Sequence, residues 1–234
     1  LEHWEDRYTK DRSKEDDPDK HFLQKAAIHA LYGRVICIGL GWLRPLGGPD
    51  NRWEWREKQL FSLDEVTILQ EFIRIWEQHF WIKAGDGEVP VSLCGHNLIS
   101  FDYVFLGRRM LLNGLPLPEP WVSTLIYPHW TIKQVRLLDT MRMWGLGVQE
   151  DRSFISLELL AQALQIPFSK GLTHDEIRDH FFRWTDAGDE AHFEPVLAYC
   201  AEDIRTTAKI YLKMFGLTQL IPYIQSSKEN TTSV

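Results

Sequence analysis

The sequence predicts an α/β fold, a mixed central sheet flanked by helices. β-rich apolar runs such as "RVICIGLGW" (34–42) and "VPVSLCG" (89–95) alternate with stretches of helical periodicity. Strands concentrate in the first half of the chain and helices in the second. The first two strand candidates are joined only by the short "LGGPDN", so the sheet is expected to be mixed rather than all parallel.

Each element has a local reason. Residues 1–20 are charge-rich and read as loop or loosely held helix, and "HFLQKAAIHALY" (21–32) as a short helix. Residues 34–42 read as a buried strand. Its "GLG" is not a dinucleotide fingerprint, because no third glycine and no opening helix follow. "LGGPDN" is a turn, and "RWEWREKQ" (52–59) alternates as a half-exposed second strand. Ser62 and Glu65 have capping-box spacing ahead of an amphipathic helix running to about Phe80. "AGDGE" reads as a loop and 89–95 as a third strand. A helix follows from about Phe101 to Leu112, and "NGLPLPEP" breaks it. "KQVRLLDT" (133–140) is a further strand ending in Asp139, and "SLELLAQAL" (156–164) a helix stopped by Pro167. Thr173 and Glu176 repeat the capping-box signature. One long helix is expected from about Glu190 to Phe215, with Pro195 in its first turn and Gly216 at its end. The polar tail "SSKENTTSV" is expected to be disordered. The whole reads as one domain over 1–220 with a polar tail at 221–234, without an internal repeat.

Composition narrows the function. With 234 residues, 44% hydrophobic and 25% charged, the chain buries a full core without staples. Cys37, Cys94 and Cys200 lie far apart in apolar runs, which fits buried thiols in a reducing compartment rather than a disulfide frame or a zinc site. No apolar run reaches the length of a membrane span and no secretory h-region opens the chain, so a soluble, cytoplasmic protein with no membrane partner is expected. A net charge of −7 gives no global attraction to phosphates. Handling nucleic acid would therefore need local basic groups or metal ions.

Two places carry polar side chains where burial is expected. Asn97 and Asp102 stand at the seam between a buried strand and a helix. On the last long helix Tyr199 and Asp203 are four residues apart and share a face directed toward, or close to, the core. A carboxylate on such a face needs a partner. Taken singly, Asp102 is explained by the helix dipole, Asn97 by tying down the strand end, and Asp203 by a salt bridge. His174, His180 and His192 lack ligand spacing with acids or cysteines, and no nucleophile pattern of the G-x-S-x-G type is present.

Taken together, "N-x-x-x-F-D" after a strand and "Y-x-x-x-D" a hundred residues later on a helix resemble two of the three motifs of the 3′–5′ exonuclease superfamily, whose proofreading domains have a ribonuclease-H-like fold. "SLELLAQALQIPFSK" and "AYCAEDIRTTAKIYLKM" are similar to the stand-alone exonucleases related to the family B DNA polymerase domain, and the resemblance spans residues 34–215. It implies a ribonuclease-H-like mixed sheet, with Asp102 and Asp203 helping to hold two Mg²⁺ or Mn²⁺ ions. It also implies that Tyr199 orients the attacking water, that Asn97 and Phe101 line the cleft near the 3′-terminal nucleotide, and that Lys170 lies in a loop near that cleft. Arg108 or Arg109 is placed to reach a phosphate, surface groups being the alternative. Asp139 is expected to have a structural or supporting role rather than to bind metal. The implied reaction is release of nucleoside 5′-monophosphates from the 3′ end of single-stranded DNA. An exoribonuclease of the same architecture, or a non-catalytic nucleic-acid-binding or protein-binding module, are the alternatives. The superfamily's first motif, D-x-E on the central strand, has no counterpart in place. The only such triplet, Asp86 to Glu88, falls in a loop and in the wrong order. An upstream segment carrying Asp-x-Glu is therefore expected in the native protein.

Overall fold

The structure, a computed structural model, describes residues 26–47, 52–84, 87–126, 137–146, 154–169, 171–224 and 231–233. A 3₁₀ turn at Ala26–Ile28 leads into strands β1 (Cys37–Gly47) and β2 (Arg52–Phe61), then helix α1 (Glu65–His79). Strands β3 (Trp81–Ala84), β4 (Gly87–Pro90) and β5 (Leu93–Gly95) precede α2 (Asp102–Leu112) and α3 (Glu119–Ile126). Strand β6 (Leu137–Asp139) runs into α4 (Thr140–Trp144), followed by α5 (Leu157–Ala163), α6 (His174–Ala187) and the long α7 (Glu194–Met214). Strand β7 (Thr231–Ser233) closes the described chain.

The expected mixed α/β architecture is present, built from small sheets. Strands β1 and β2 pair antiparallel, and β7 adds parallel to the end of β2. Strands β3 and β4 form a second antiparallel pair, while β5 and β6 run parallel. Among the described residues the second edges of β1 and β5 have no strand partner, and α7 packs on both strands.

Alternation along the first hairpin divides its side chains between two layers. On one face Ile38 and Leu60 meet Ile68, Leu69, Phe72 and Trp76 of α1 in the largest core cluster. On that face too, Lys58 reaches Glu71 at 2.8 Å. The other face belongs to α7. Strand β1 is buried only near its start: Ile38 is buried, and residues 44–47 are exposed. The run predicted as a single strand at 89–95 is split. Its first half folds back on β3, so the loop expected at 84–88 is flanked by paired strands, and its second half pairs with β6.

The start of α1 also differs from expectation. Asp64, not Ser62, is the N-cap, accepting hydrogen bonds from the amides of Val66 (3.2 Å) and Thr67 (3.3 Å). Glu65 is buried and accepts from the Val35 amide (2.6 Å), the Arg109 guanidinium (2.9 and 2.5 Å) and Asn113 (3.0 Å). Burial alone would raise its pKa, and these donors outweigh it and hold the carboxyl below the usual range. Arg109 also donates to the Ala30 carbonyl at 2.6 Å, so it ties α2 to α1 and to the segment before β1. It is thus committed to the core and not to a phosphate.

Helix α3 was not expected, because Pro116, Pro118 and Pro120 resemble a breaker. Pro120 falls in its first turn, where a missing N–H costs nothing. Trp121 then stacks on Tyr103 at 4.4 Å and donates its indole N–H to the Tyr103 carbonyl at 2.8 Å. The Thr173–Glu176 capping box is fully formed, the Thr173 amide donating to Glu176 at 2.8 Å and the Glu176 amide to Thr173 at 3.3 Å. Thr173→Ala should cost about 1 kcal/mol, read as a lower urea midpoint at unchanged m; a loss under about 0.3 kcal/mol would contradict the cap's role. The tail expected to be disordered includes β7, whose Thr231 lies opposite Gln59. By surface area Cys37 and Cys200 are half-buried and Cys94 is exposed, yet burial raises the Cys94 thiol pKa and, after the neighbouring Cys37, that of Cys200, so the expectation of three buried thiols is met only in part. No described helix is long and apolar enough to cross a membrane.

Candidate active site

Helix α7 is keyed to the hairpin by directional bonds. Along β2 the side chains of Trp55, Glu57, Gln59 and Phe61 alternate onto the face that meets α7. Phe61 packs with Phe193, Val196 and Leu197. Gln59 donates to the Leu197 carbonyl at 2.6 Å. Arg205 donates through Nε to Glu57 at 2.8 Å and through a terminal nitrogen to the other carboxylate oxygen, while Trp55 donates its indole N–H to Glu57 at 2.7 Å. Arg205 therefore forms a buried fork-on-carboxylate pair. The facing positions on β1 are Gly39 and Gly41. A Cβ at Gly39 would lie 2.8 Å from the Cys200 sulfur and collide with Ile204. The two glycines let α7 approach the strand closely, which is the use of the "GLG" in the sequence.

With that face occupied, Tyr199 and Asp203 point along another. The Tyr199 hydroxyl lies close to Asp203, and burial, followed by the Asp203 charge, pushes the phenol pKa up. Asp203 is raised from 3.8 to about 6, chiefly by burial, with Glu202 and Asp102 adding repulsion and the Tyr199 hydroxyl opposing.

Asp102 comes from the opposite direction, at the start of α2. The loop that presents it is tied down by Asp139, 2% exposed, whose carboxylate accepts from the amides of Asn97 (3.0 Å), Ile99 (3.1 Å) and Met141 (3.1 Å). Asp139 also caps α4. These bonds use both oxygens on the backbone, which is the structural role expected. His96 is clamped between the Thr140 hydroxyl (2.9 Å) and the Ile155 carbonyl (2.8 Å), joining this loop to the approach to α5. Asn97 sits in left-handed backbone at φ 61°, a conformation asparagine tolerates. Asp102 has an open side to solvent, yet burial of its carboxyl by neighbouring protein, followed by repulsion from Asp139, pushes its pKa to about 6. Solvent on the open side screens that effect, so Asp203 carries the larger electrostatic cost.

The sign of that cost can be measured. Asp203 binds its proton more readily folded than unfolded, so between about pH 4 and pH 6 the folded state holds more protons and stability falls as pH rises. Without divalent metal, Asp203→Asn should stabilise the protein near pH 7.5 by on the order of 1 kcal/mol, about 2–4 °C in Tm for a chain of this size, and give no gain near pH 4. Equal melting of variant and parent in EDTA at both pH values would refute this.

The Asp102 charge is felt at Asp203, and the Asp203 charge at Tyr199. Asn97 and Phe101 lie on the loop leading into α2, half-buried, with Phe101 against Phe105 at 5.4 Å. Arg108 is exposed and forms no ion pair among the described residues. Lys170 lies outside the described residues. Among these, no three His, Cys, Asp or Glu side chains come together as a metal-binding group. Sequence reasoning missed His96, whose position beside Asn97 was a usable signal, and Glu57, whose alternation with Trp55 and Gln59 marked it as facing inward.

Comparison with known families gives one result: residues 62–215, more than half of the chain, match the family described as the RNase_H superfamily. No curated protein and no solved structure matches. The matched span runs from the residues before α1 through the end of α7, and so includes Asp102, Asp139, Tyr199 and Asp203. With helices packed around small parallel and antiparallel strand pairs, and with that match over most of its length, this chain belongs to the RNase H superfamily.

Proposed function

We propose that this protein is a metal-dependent 3′–5′ exonuclease that releases nucleoside 5′-monophosphates from single-stranded DNA ends. Membership of the RNase H superfamily supports a nuclease. One observation carries the finer reading: Asp102 and Asp203, a hundred residues apart, repel each other, and both are pushed toward protonation. Arg205, the cation two residues from Asp203, is already committed to Glu57. A pair of carboxylates held in this way suits a divalent cation, and its all-oxygen donor set suits Mg²⁺ or Mn²⁺.

Asp102 and Asp203 would hold two such ions, which when bound supply Lewis-acid activation of water and charge neutralisation at the leaving oxygen. The protein's own groups do the rest. Tyr199 holds its hydroxyl close to Asp203 and offers a hydrogen bond to the attacking water. Asn97 and Phe101 line the place of the terminal nucleotide, Phe101 offering a ring for a base to stack on. Arg108 and Lys170 are the basic groups for the phosphate backbone of an otherwise acidic protein.

The test is hydrolysis of a 3′-labelled single-stranded DNA and the matching RNA, with Mg²⁺ or Mn²⁺ and with EDTA. Metal-dependent release of 5′-monophosphates from DNA supports the proposal, and preference for RNA replaces it with the exoribonuclease. Absence of both cleavage and Mn²⁺ binding leaves a non-catalytic binding module.

A further inference from the structure

We propose that Gly171 is a positioning residue for Tyr199: the missing side chain at 171 opens the slot in which the Tyr199 ring lies, with its hydroxyl close to Asp203. This rests on the role proposed above for Tyr199 and extends it to a residue outside either motif.

The geometry is direct. A Cβ at Gly171 would fall 2.5 Å from Cε2, 3.1 Å from Cδ2 and 3.3 Å from Cζ of the Tyr199 ring, inside the ~3.5–4.0 Å at which carbon atoms pack. The backbone of Gly171 is not left-handed, unlike that of Gly188 or Gly216. Glycine is thus not required there to make a turn. What requires it is the ring.

The chain that follows Gly171 is anchored against retreat from an added methyl. The next residue, Leu172, is packed against the cluster of Phe61, Phe181, Trp184, Phe193, Val196 and Leu197. The one after, Thr173, is the N-cap of α6 with both capping-box bonds made. On the other side α7 is locked by Gln59 and by the Glu57–Arg205 pair. Both backbones being fixed, the Tyr199 side chain is what yields. A ring pushed aside takes its hydroxyl away from Asp203, and displacement of a positioning group by about 1 Å is enough to cost up to ~100-fold in rate.

The experiment is a double-mutant cycle in the intact protein with Gly171→Ala, Tyr199→Phe and both together, measuring metal-dependent hydrolysis of single-stranded DNA. Gly171→Ala is expected to lower kcat about tenfold or more with KM changed by less than about twofold. The double variant is expected to be no slower than Tyr199→Phe alone, because both changes remove the same hydroxyl contact. Full activity of Gly171→Ala, or losses that multiply in the double variant, overturns the inference.

A second measurement does not depend on catalysis. With ¹³C-labelled tyrosine, the Tyr199 ring signal, assigned by its disappearance in Tyr199→Phe, should move in Gly171→Ala while the other tyrosines stay; an unmoved signal overturns the inference. If the unsubstituted protein cleaves no nucleic acid, the proposed function fails and this spectrum alone decides the slot. Should Gly171→Ala melt at lower temperature, the loss is expected to vanish in a Tyr199→Ala background, where no ring is met. Persistence of the loss there also overturns the inference.

Discussion

Replacing Asp203 with asparagine is expected to reduce metal-dependent release of nucleotides from single-stranded DNA by about a thousandfold, the rate equivalent of roughly 4 kcal/mol. The substitution keeps the shape of the side chain and an oxygen able to accept the Tyr199 hydroxyl hydrogen bond, but removes the charge that would attract a divalent ion. Its effect therefore has two parts that can be measured separately: loss of turnover, and weakened Mn²⁺ binding in calorimetry. The fold is expected to survive, because Asp203 contributes a cost rather than a gain to stability when metal is absent. Retention of full activity in Asp203→Asn would remove the mechanism proposed above. Asp102→Asn is expected to act in the same direction, which follows from its sharing the electrostatics of the pair.

The largest expected effect on stability lies behind the site. Arg205→Ala leaves Glu57, 7% exposed, with a buried charge and, among the described residues, only the Trp55 indole as a side-chain donor. Breaking such a pair from one side costs about 3–5 kcal/mol. The paired substitution Glu57→Leu with Arg205→Met should recover most of that loss, since an apolar pair of similar volume needs no solvation. Urea denaturation of the three variants checks both statements. If Arg205→Ala costs less than about 1 kcal/mol, the pair is not a determinant of the fold.

The sequence disclosed those elements whose local signals have a single physical meaning. The Thr173–Glu176 box, the Pro195 start and Gly216 end of the last helix, and the helix opening at Asp102 were all legible, because each depends on residues within one turn. Asp102, Tyr199 and Asp203 were singled out as a set only through their resemblance to known motifs, since each carboxylate alone had an ordinary explanation. What could not be read depended on distant partners. Ser62 and Glu65 had the spacing of a cap, but Arg109, forty-four residues on, draws Glu65 into the core and Asp64 takes the cap. The run at 89–95 looked continuous because hydropathy does not reveal that one half pairs with β3 and the other with β6. The reason for glycine at position 171 is visible only in the Tyr199 ring lying against it.

The seam between α7 and the hairpin has a further consequence for accuracy. Grease against grease tolerates slippage: a helix resting on a purely oily surface can settle at several angles of roll with little penalty. The amide of Gln59 and the fork of Arg205 accept one angle only, because their bonds have direction. They act as an indexing pin, giving up some adhesive strength in exchange for a reproducible aim of the two groups on the far side of the helix.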